Sequence, residues 1–159
     1  EAAPVAAYLR DELEAGREAT CDRWHLNACS FYYAVSRAYA NGVTELEPLR
    51  ETILRRIERL QTPNGSIGNP SETAMAVAAL LNLGAHGTAI DRAVAHLIGS
   101  QRDDGSWEAH ALYYGGPKRY YGWGSEALTT ALCAEVLARA VAVDGAAEEV
   151  VEFGEARGA

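Results

Sequence analysis

The sequence has few cysteines and no long apolar run, and each shortage excludes a class of protein. Cys21, Cys29 and Cys133 are its only cysteines. An odd number without a Cys-x-x-Cys pair argues against a disulfide framework and against a zinc site, and it favours a reducing, cytoplasmic location. No apolar stretch reaches the roughly 18 residues of a membrane span, and no signal peptide is recognisable.

Basic residues are also scarce. The chain has 14 Lys and Arg against 22 Asp and Glu, a formal net charge of −8. Nucleic-acid binding requires a basic stripe, whereas the densest basic stretch, residues 50–59, includes Glu51 and Glu58 and suits a solvated helix face. We therefore predict no nucleic-acid partner. The chain begins at Glu1 without a methionine, which leaves open that it is trimmed from a longer parent.

Helical periodicity runs through the chain, and strict two-residue alternation is absent. Segments that are apolar on most sides are 27–40, 71–83 and 125–143. Amphipathic segments between them are 5–14, 47–60 and 89–98. Alternating inner and outer helices predict an all-α fold with no sheet beyond a stray pair of residues. The predicted architecture is an α/α toroid of which about three helix pairs, half a barrel, are present. The predicted domain covers 1–143, and the acidic tail 144–159 is expected to fray.

The most informative feature is a repeat. QTPNGSI at 61–67 returns forty positions later as QRDDGSW at 101–107. A period of this size is typical of helical arrays and toroids. The Asn-Gly and Asp-Gly pairs suit a tight turn, and the glutamine amides can reach free groups at helix ends. We expect a structural clamp, named here the Gln–Trp clamp, formed by Gln61, Gly65, Gln101, Gly105 and Trp107.

The second copy resembles the QW repeat of terpene cyclases and of the related prenyltransferase β-subunits. The stretch DRWHLN at 22–27, followed by YYAV at 32–35, is similar to the DKWHxSPYYAT segment of bacterial class II diterpene cyclases. Arginine here replaces lysine, and four residues separate the two parts. SETAMA at 71–76 is similar to that family's EETAYA. The resemblance covers approximately residues 20–142 and corresponds to the C-terminal half of the family's β domain.

The resemblance implies a subunit or fragment of an isoprenoid cyclase, an isomerase or lyase. Class II cyclases protonate an alkene or epoxide with the central Asp of an Asp-x-Asp-Asp motif, which this sequence lacks. Its Asp103-Asp104 pair belongs to the repeat turn. The chain is therefore expected to shape a hydrophobic cavity, to be inactive alone, and to receive the acid from another chain or segment. The alternatives are a non-catalytic toroid that binds an isoprenoid or a protein, and a generic helical scaffold.

Aromatic residues are the candidate cavity residues, because their ring faces can stabilise carbocations. Ordinary aromatic packing is the alternative. The candidate set is Trp24, His25, Tyr32, Tyr33, Tyr113, Tyr114 and Trp123. His25 is either a general base for terminal proton loss or a hydrogen-bonded structural histidine. Lys118 and Arg119 either hold a diphosphate or are simply solvated.

No catalytic residue, metal site or cofactor is predicted, although a diphosphate substrate would introduce Mg²⁺. An incomplete ring exposes apolar flanks. We therefore predict an obligate complex, a heterodimer with an acid-bearing cyclase subunit; a second copy or the remainder of a longer parent are the other options. The isoprenoid chain length, the head group (diphosphate or epoxide) and the product skeleton stay open.

Overall fold

The computed structural model describes the backbone of residues 2–155 and the side chains of residues 2–142. The predicted helical character is confirmed, since this part is mostly helical. Its α-helices are α1 (Ala3–Glu14), α2 (Ala28–Ala40), α3 (Arg50–Leu60), α4 (Pro70–Asn82), α5 (Thr88–Gly99) and α6 (Glu126–Glu155). A 3-10 segment, Thr44–Leu49, leads into α3. No helix in the described range is both long and apolar enough to cross a bilayer.

The structure also contains a small two-stranded sheet, which exceeds the stray pair of residues that the sequence predicted. Strands β1 (Tyr113–Gly115) and β2 (Tyr121–Trp123) pair antiparallel, with Tyr114 opposite Gly122, and a 3-10 turn at Pro117–Arg119 joins them. Strands of three residues are too short to show two-residue alternation in a sequence. The hairpin is attached to the loop before α2, because the Tyr114 N–H donates to the Trp24 carbonyl at 2.8 Å.

Helix α4 lies between α2 and α6 and contacts both, while α5 packs against α4 and α6. The α4 side chains from Thr73 to Leu80 are all buried. Most of them are small, which allows the neighbouring helices to approach closely. The helix begins with a capping box: Asn69 accepts from the Glu72 N–H at 3.1 Å, and the Glu72 carboxylate accepts from the Asn69 N–H at 3.0 Å. A cap of this kind satisfies two backbone donors that the helix leaves free.

Over residues 126–142, where its side chains are described, α6 buries only one face. Thr129, Cys133, Val136 and Ala140 are buried, whereas the opposite face is exposed and rich in alanine. The backbone stays helical to Glu155, beyond the boundary predicted at 143. The side chains of the predicted tail, and residues 156–159 entirely, lie outside the described residues.

The two copies of the repeat fold as the same turn. Gly65 and Gly105 have φ angles of 89° and 84°, a region that favours glycine. Asn64 Oδ1 and Asp104 Oδ1 accept from the backbone N–H two residues later, at 3.1 and 2.9 Å. The sequence repeat is therefore also a structural repeat, which follows α3 in the first copy and α5 in the second.

In the second copy, the clamp fastens the turn to the end of α5. The buried Trp107 indole donates its Nε1–H to the Leu97 carbonyl at 2.9 Å, in the last turn of α5. The Gln101 side chain donates to the Gly105 carbonyl at 2.9 Å. Trp107 thereby satisfies one of the carbonyls that a helix end leaves free.

In the first copy, Ile67 occupies the place of the tryptophan and is buried. Its N–H donates to Thr73 Oγ1 at 2.9 Å, and Thr73 donates back to the Ile67 carbonyl at 3.1 Å. The Gln61 amide donates to the Gly65 carbonyl at 3.2 Å and to the Ala89 carbonyl at 2.8 Å. Side-chain hydrogen bonds therefore hold this turn without an indole.

Because two of its thiols are buried, we expect the protein to lose stability at alkaline pH. Burial raises the pKa of Cys29, and of Cys133, from 9.0 to about 12, and the nearby Glu72 adds to the shift of Cys29. The unfolded chain therefore releases these protons first. We expect the free energy of unfolding to fall between pH 9 and about pH 12, by up to ~1.4 kcal/mol per pH unit and thiol.

Denaturant titrations under reducing conditions across this pH range measure the effect. The double variant Cys29→Ala/Cys133→Ala should lose stability less steeply with pH, even if it is less stable at neutral pH. Equal slopes for the two proteins would contradict the prediction.

Candidate functional site

An elongated groove of about 980 Å³ follows one side of α2. Helix α2 forms one wall, and side chains from α1, α4, α6 and the hairpin complete it. Its apolar lining includes Phe31, Met75, Leu112 and Leu132. The volume lies at the upper end of the ~300–1,000 Å³ typical of small-molecule pockets. We name it the aromatic groove.

Four of the seven candidate cavity residues line the aromatic groove: Trp24, His25, Tyr33 and Tyr113. They come from the loop before α2, from α2 itself and from β1. The loop ends where Asn27 caps α2 by accepting from the Ser30 N–H at 2.8 Å. The hairpin then places Tyr113 against His25, with ring centroids 4.9 Å apart.

The other three candidates lie elsewhere. Tyr32 is 1% exposed in the core and does not line the groove. Tyr114 lines a smaller, neighbouring pocket. Trp123 is 53% exposed on β2, with its ring near that of Tyr121. The seven candidates therefore lie in three places: on the groove wall, in the core and on the hairpin.

Asp22 organises the loop that carries Trp24 and His25. Its Oδ1 accepts from the Trp24 N–H at 2.6 Å and from the His25 N–H at 3.3 Å, and its Oδ2 is 2.7 Å from His25 Nδ1. Partial burial works against the charged carboxylate, but these hydrogen bonds prevail and lower the pKa of Asp22. The imidazole therefore has an ionised partner.

A buried carboxylate that sequence reasoning missed, Glu18, also lines the groove. Its Oε1 accepts from the Tyr32 hydroxyl at 2.9 Å and pairs with Arg56, which also donates to the Leu13 carbonyl at 2.6 Å. Its Oε2 is buried without a hydrogen-bond partner. Burial, and next the carboxylate of Glu18, raise the pKa of Tyr32. The sequence around Glu18 gives no sign that it is buried, because its partners Tyr32 and Arg56 lie on α2 and α3.

The neighbouring pocket, of about 350 Å³, is basic. Arg23, Lys118 and Arg119 line it together with backbone of the hairpin, and none of them forms an ion pair with a carboxylate of residues 2–142. Lys118 and Arg119 have φ angles of 57° and 59°. Such conformations are strained for residues other than glycine and occur often at functional sites. We name it the basic pocket.

Arg23 and Trp24 line both cavities. The Arg23 guanidinium lies 5.7 Å from the centroid of the Trp24 ring, within the range of a cation–π contact. An apolar groove and a pocket of positive charge therefore share one wall. The arrangement suits an elongated apolar ligand with an anionic head.

The residues described do not fit a metal centre. Among them, no three His, Cys, Asp or Glu side chains come together in a way that could hold an ion. Asp104, in the only paired-aspartate stretch of the repeat, accepts from the Ser106 hydroxyl and N–H, and these bonds lower its pKa. Asp104 therefore serves the turn.

No family model and no curated protein matches this chain. Functional conclusions therefore depend on the two cavities and the residues that line them.

Proposed function

We propose that the chain is part of an isoprenoid cyclase of the class II terpene cyclase type, whose apolar cavity it shapes. The protonating acid comes from another chain or segment. The observation that carries the proposal is the aromatic groove, where Trp24, Tyr33 and Tyr113 stand beside aliphatic side chains. Aromatic faces attract cations, so this lining suits a hydrocarbon chain that becomes positively charged.

The basic pocket supports a diphosphate as the head group in preference to an epoxide. Three cations without ion-pair partners among the described carboxylates stand out in a chain of net charge −8. Phosphate oxygens are strong acceptors for guanidinium and ammonium donors. Because Arg23 and Trp24 border both cavities, one prenyl diphosphate could place its head in the basic pocket and its chain in the groove.

The proposal includes half an α/α toroid, with α2, α4 and α6 as inner helices. The adjacency of these helices and the repeated turn at 61–67 and 101–107 support it. A partner would cover the exposed alanine-rich face of α6, where Val141 is 71% exposed. In this arrangement the partner is an acid-bearing cyclase subunit and completes the ring.

The alternative is an isoprenoid-binding module without catalysis. The contacts of the two carboxylates at the groove favour it. Glu18 forms an ion pair with Arg56, and Asp22 forms a hydrogen bond with His25. Both carboxylates already contact a basic side chain, whereas alkene protonation requires an acid that is free to donate its proton. The purified chain alone is therefore expected to bind prenyl compounds without cyclising them.

Calorimetric titration with geranylgeranyl diphosphate and with the matched prenyl alcohol tests the proposal. Tyr33→Ala should weaken both ligands about tenfold, because the groove holds the chain that they share. Tyr120→Ala, the same change at a residue outside both cavities, should have no effect. The double variant Lys118→Gln/Arg119→Gln should weaken only the diphosphate, by about tenfold or more.

Arg55→Gln/Arg59→Gln on the outer face of α3 controls for the loss of charge. Thermal melting shows whether each variant is folded. Failure of the native chain to bind the prenyl alcohol would overturn the proposal. Equal weakening of the diphosphate by both double variants would remove the head-group assignment and leave the groove intact.

A further inference from the structure

His25 has one ring nitrogen committed and one available. Nδ1 lies 2.7 Å from Asp22 Oδ2, whereas Nε2 makes no hydrogen bond with any residue of the described part, 2–142. The side chain is 27% exposed and lines the aromatic groove. We propose that the Asp22–His25 pair is the proton acceptor of the groove; this inference rests on the groove being the isoprenoid site.

The geometry determines which nitrogen can accept. An ionised carboxylate can only accept hydrogen bonds, so Nδ1 carries the hydrogen in the neutral imidazole. The lone pair is then on Nε2, the nitrogen without a protein partner. A carboxylate that orients a histidine in this way also stabilises the imidazolium formed when Nε2 takes a proton.

Two contacts hold the imidazole in place before any ligand binds. Asp22 fixes the loop through the backbone N–H groups of Trp24 and His25. On the other side, the Tyr113 ring packs at 4.9 Å and 53° against the imidazole. The hairpin that carries Tyr113 bonds back to the Trp24 carbonyl. Positioning of this kind is what distinguishes a proton acceptor from a solvated surface histidine.

Among the groove's other titratable groups, Glu18 is the main alternative proton acceptor. Its contacts argue against that role. Its carboxylate pairs with Arg56 and accepts from Tyr32. Both contacts occupy Oε1, and the other oxygen, Oε2, is buried where a ligand does not reach it. The guanidinium of Arg37 lies 5.9 Å from the Tyr33 ring centroid and cannot accept a proton.

The step balances without a further reactant. A carbocation in the groove loses a hydrogen from the carbon next to the charged one. The C–H bond breaks, its electron pair becomes the π bond of a new alkene, and the proton binds Nε2 of His25. The products are a neutral hydrocarbon chain and an imidazolium ion beside the Asp22 carboxylate. Water then removes the proton from Nε2.

The first test is the tautomer of His25 in the whole chain. Nitrogen-15 NMR shifts of the imidazole should show hydrogen on Nδ1 of the neutral ring, and Asp22→Asn should change that pattern. Asp91→Asn, the same change on the first turn of α5, should leave it unchanged. A neutral ring with hydrogen on Nε2 in the native chain would overturn the inference.

The second test uses two cationic probes that differ by one N–H: a geranyl-dimethylammonium ion and a geranyl-trimethylammonium ion. Only the first can donate a hydrogen bond to Nε2, so the native chain should bind it about tenfold more tightly. His25→Gln should abolish this preference with little effect on the trimethyl probe. His96→Gln, on α5 away from the groove, should retain it.

Equal weakening of both probes by His25→Gln would show that His25 only shapes the wall, and would overturn the inference. Binding of geraniol provides the separation from the proposed function. If geraniol binds but the preference for the dimethylammonium probe is absent, His25 is not the proton acceptor, and the groove remains the proposed isoprenoid site. If geraniol does not bind, the groove fails as an isoprenoid site and the inference fails with it.

Discussion

Replacing Trp107 with alanine is expected to lower the free energy of unfolding by about 3–5 kcal/mol. The indole is 1% exposed and also donates to the Leu97 carbonyl. Its loss would leave a cavity beneath the turn and remove the hydrogen bond that ties the turn to the end of α5, although Ser100 would still donate to the Leu97 carbonyl. Because Trp107 lines neither cavity, the variant should affect yield and melting temperature far more than ligand affinity.

Two comparison variants separate the contributions. Trp107→Phe keeps most of the ring and removes the hydrogen bond, so it should cost about 0.5–1.5 kcal/mol. Trp123→Ala makes the same change as Trp107→Ala at a side chain that is 53% exposed, and it should cost clearly less. Chemical denaturation measures all three. A Trp107→Ala protein as stable as the native one, but unable to bind prenyl ligands, would place Trp107 in the ligand site.

The repeat offers a second large effect with an internal control. An alanine Cβ at Gly65 would lie 2.1 Å from the Arg92 carbonyl oxygen, whereas at Gly105 the nearest atom would be Gln101 Nε2 at 3.8 Å. Both glycines have positive φ, which costs an alanine about 1–2 kcal/mol. Gly105→Ala should cost only that, whereas Gly65→Ala should cost roughly 4 kcal/mol or more, because α5 must move.

Gly84→Ala gives a reference for the backbone cost, since Gly84 has a φ of 69° and open space around its Cβ position. It should resemble Gly105→Ala in denaturant titrations. If Gly65→Ala and Gly105→Ala are equally stable, the turn at 61–67 does not lie as close to α5 as the structure places it.

The positions of the helices are local properties, and local patterns predicted them well. The segment predicted at 89–98 is found as Thr88–Gly99, and that at 27–40 as Ala28–Ala40. Apolar spacing and helix-ending residues act within a few positions of one another, so no distant contact is needed to anticipate them. The hairpin escaped prediction because its three-residue strands are too short to show two-residue alternation in the sequence.

In the candidate site, by contrast, local sequence did not predict which aromatic side chains line the groove. Tyr32 and Tyr33 are neighbours of the same type, and the sequence offered no reason to separate them. Successive residues of a helix point about 100° apart. Tyr32 consequently faces the core and Glu18, while Tyr33 faces the groove. Which of the two is turned outward depends on where α1 and α3 pack, and their packing is not written in the local pattern.

The sequence by itself determined the helical class, the repeated turn and the aromatic residues available near α2, because each depends on short-range spacing or on residue type. Only the tertiary structure decided that Tyr113 meets His25, that Arg23 joins Lys118 and Arg119, and that Glu18 is buried with Arg56. These are contacts between segments far apart in the chain. They form because α2, α3 and the hairpin converge there, and a local pattern holds no information about such convergence.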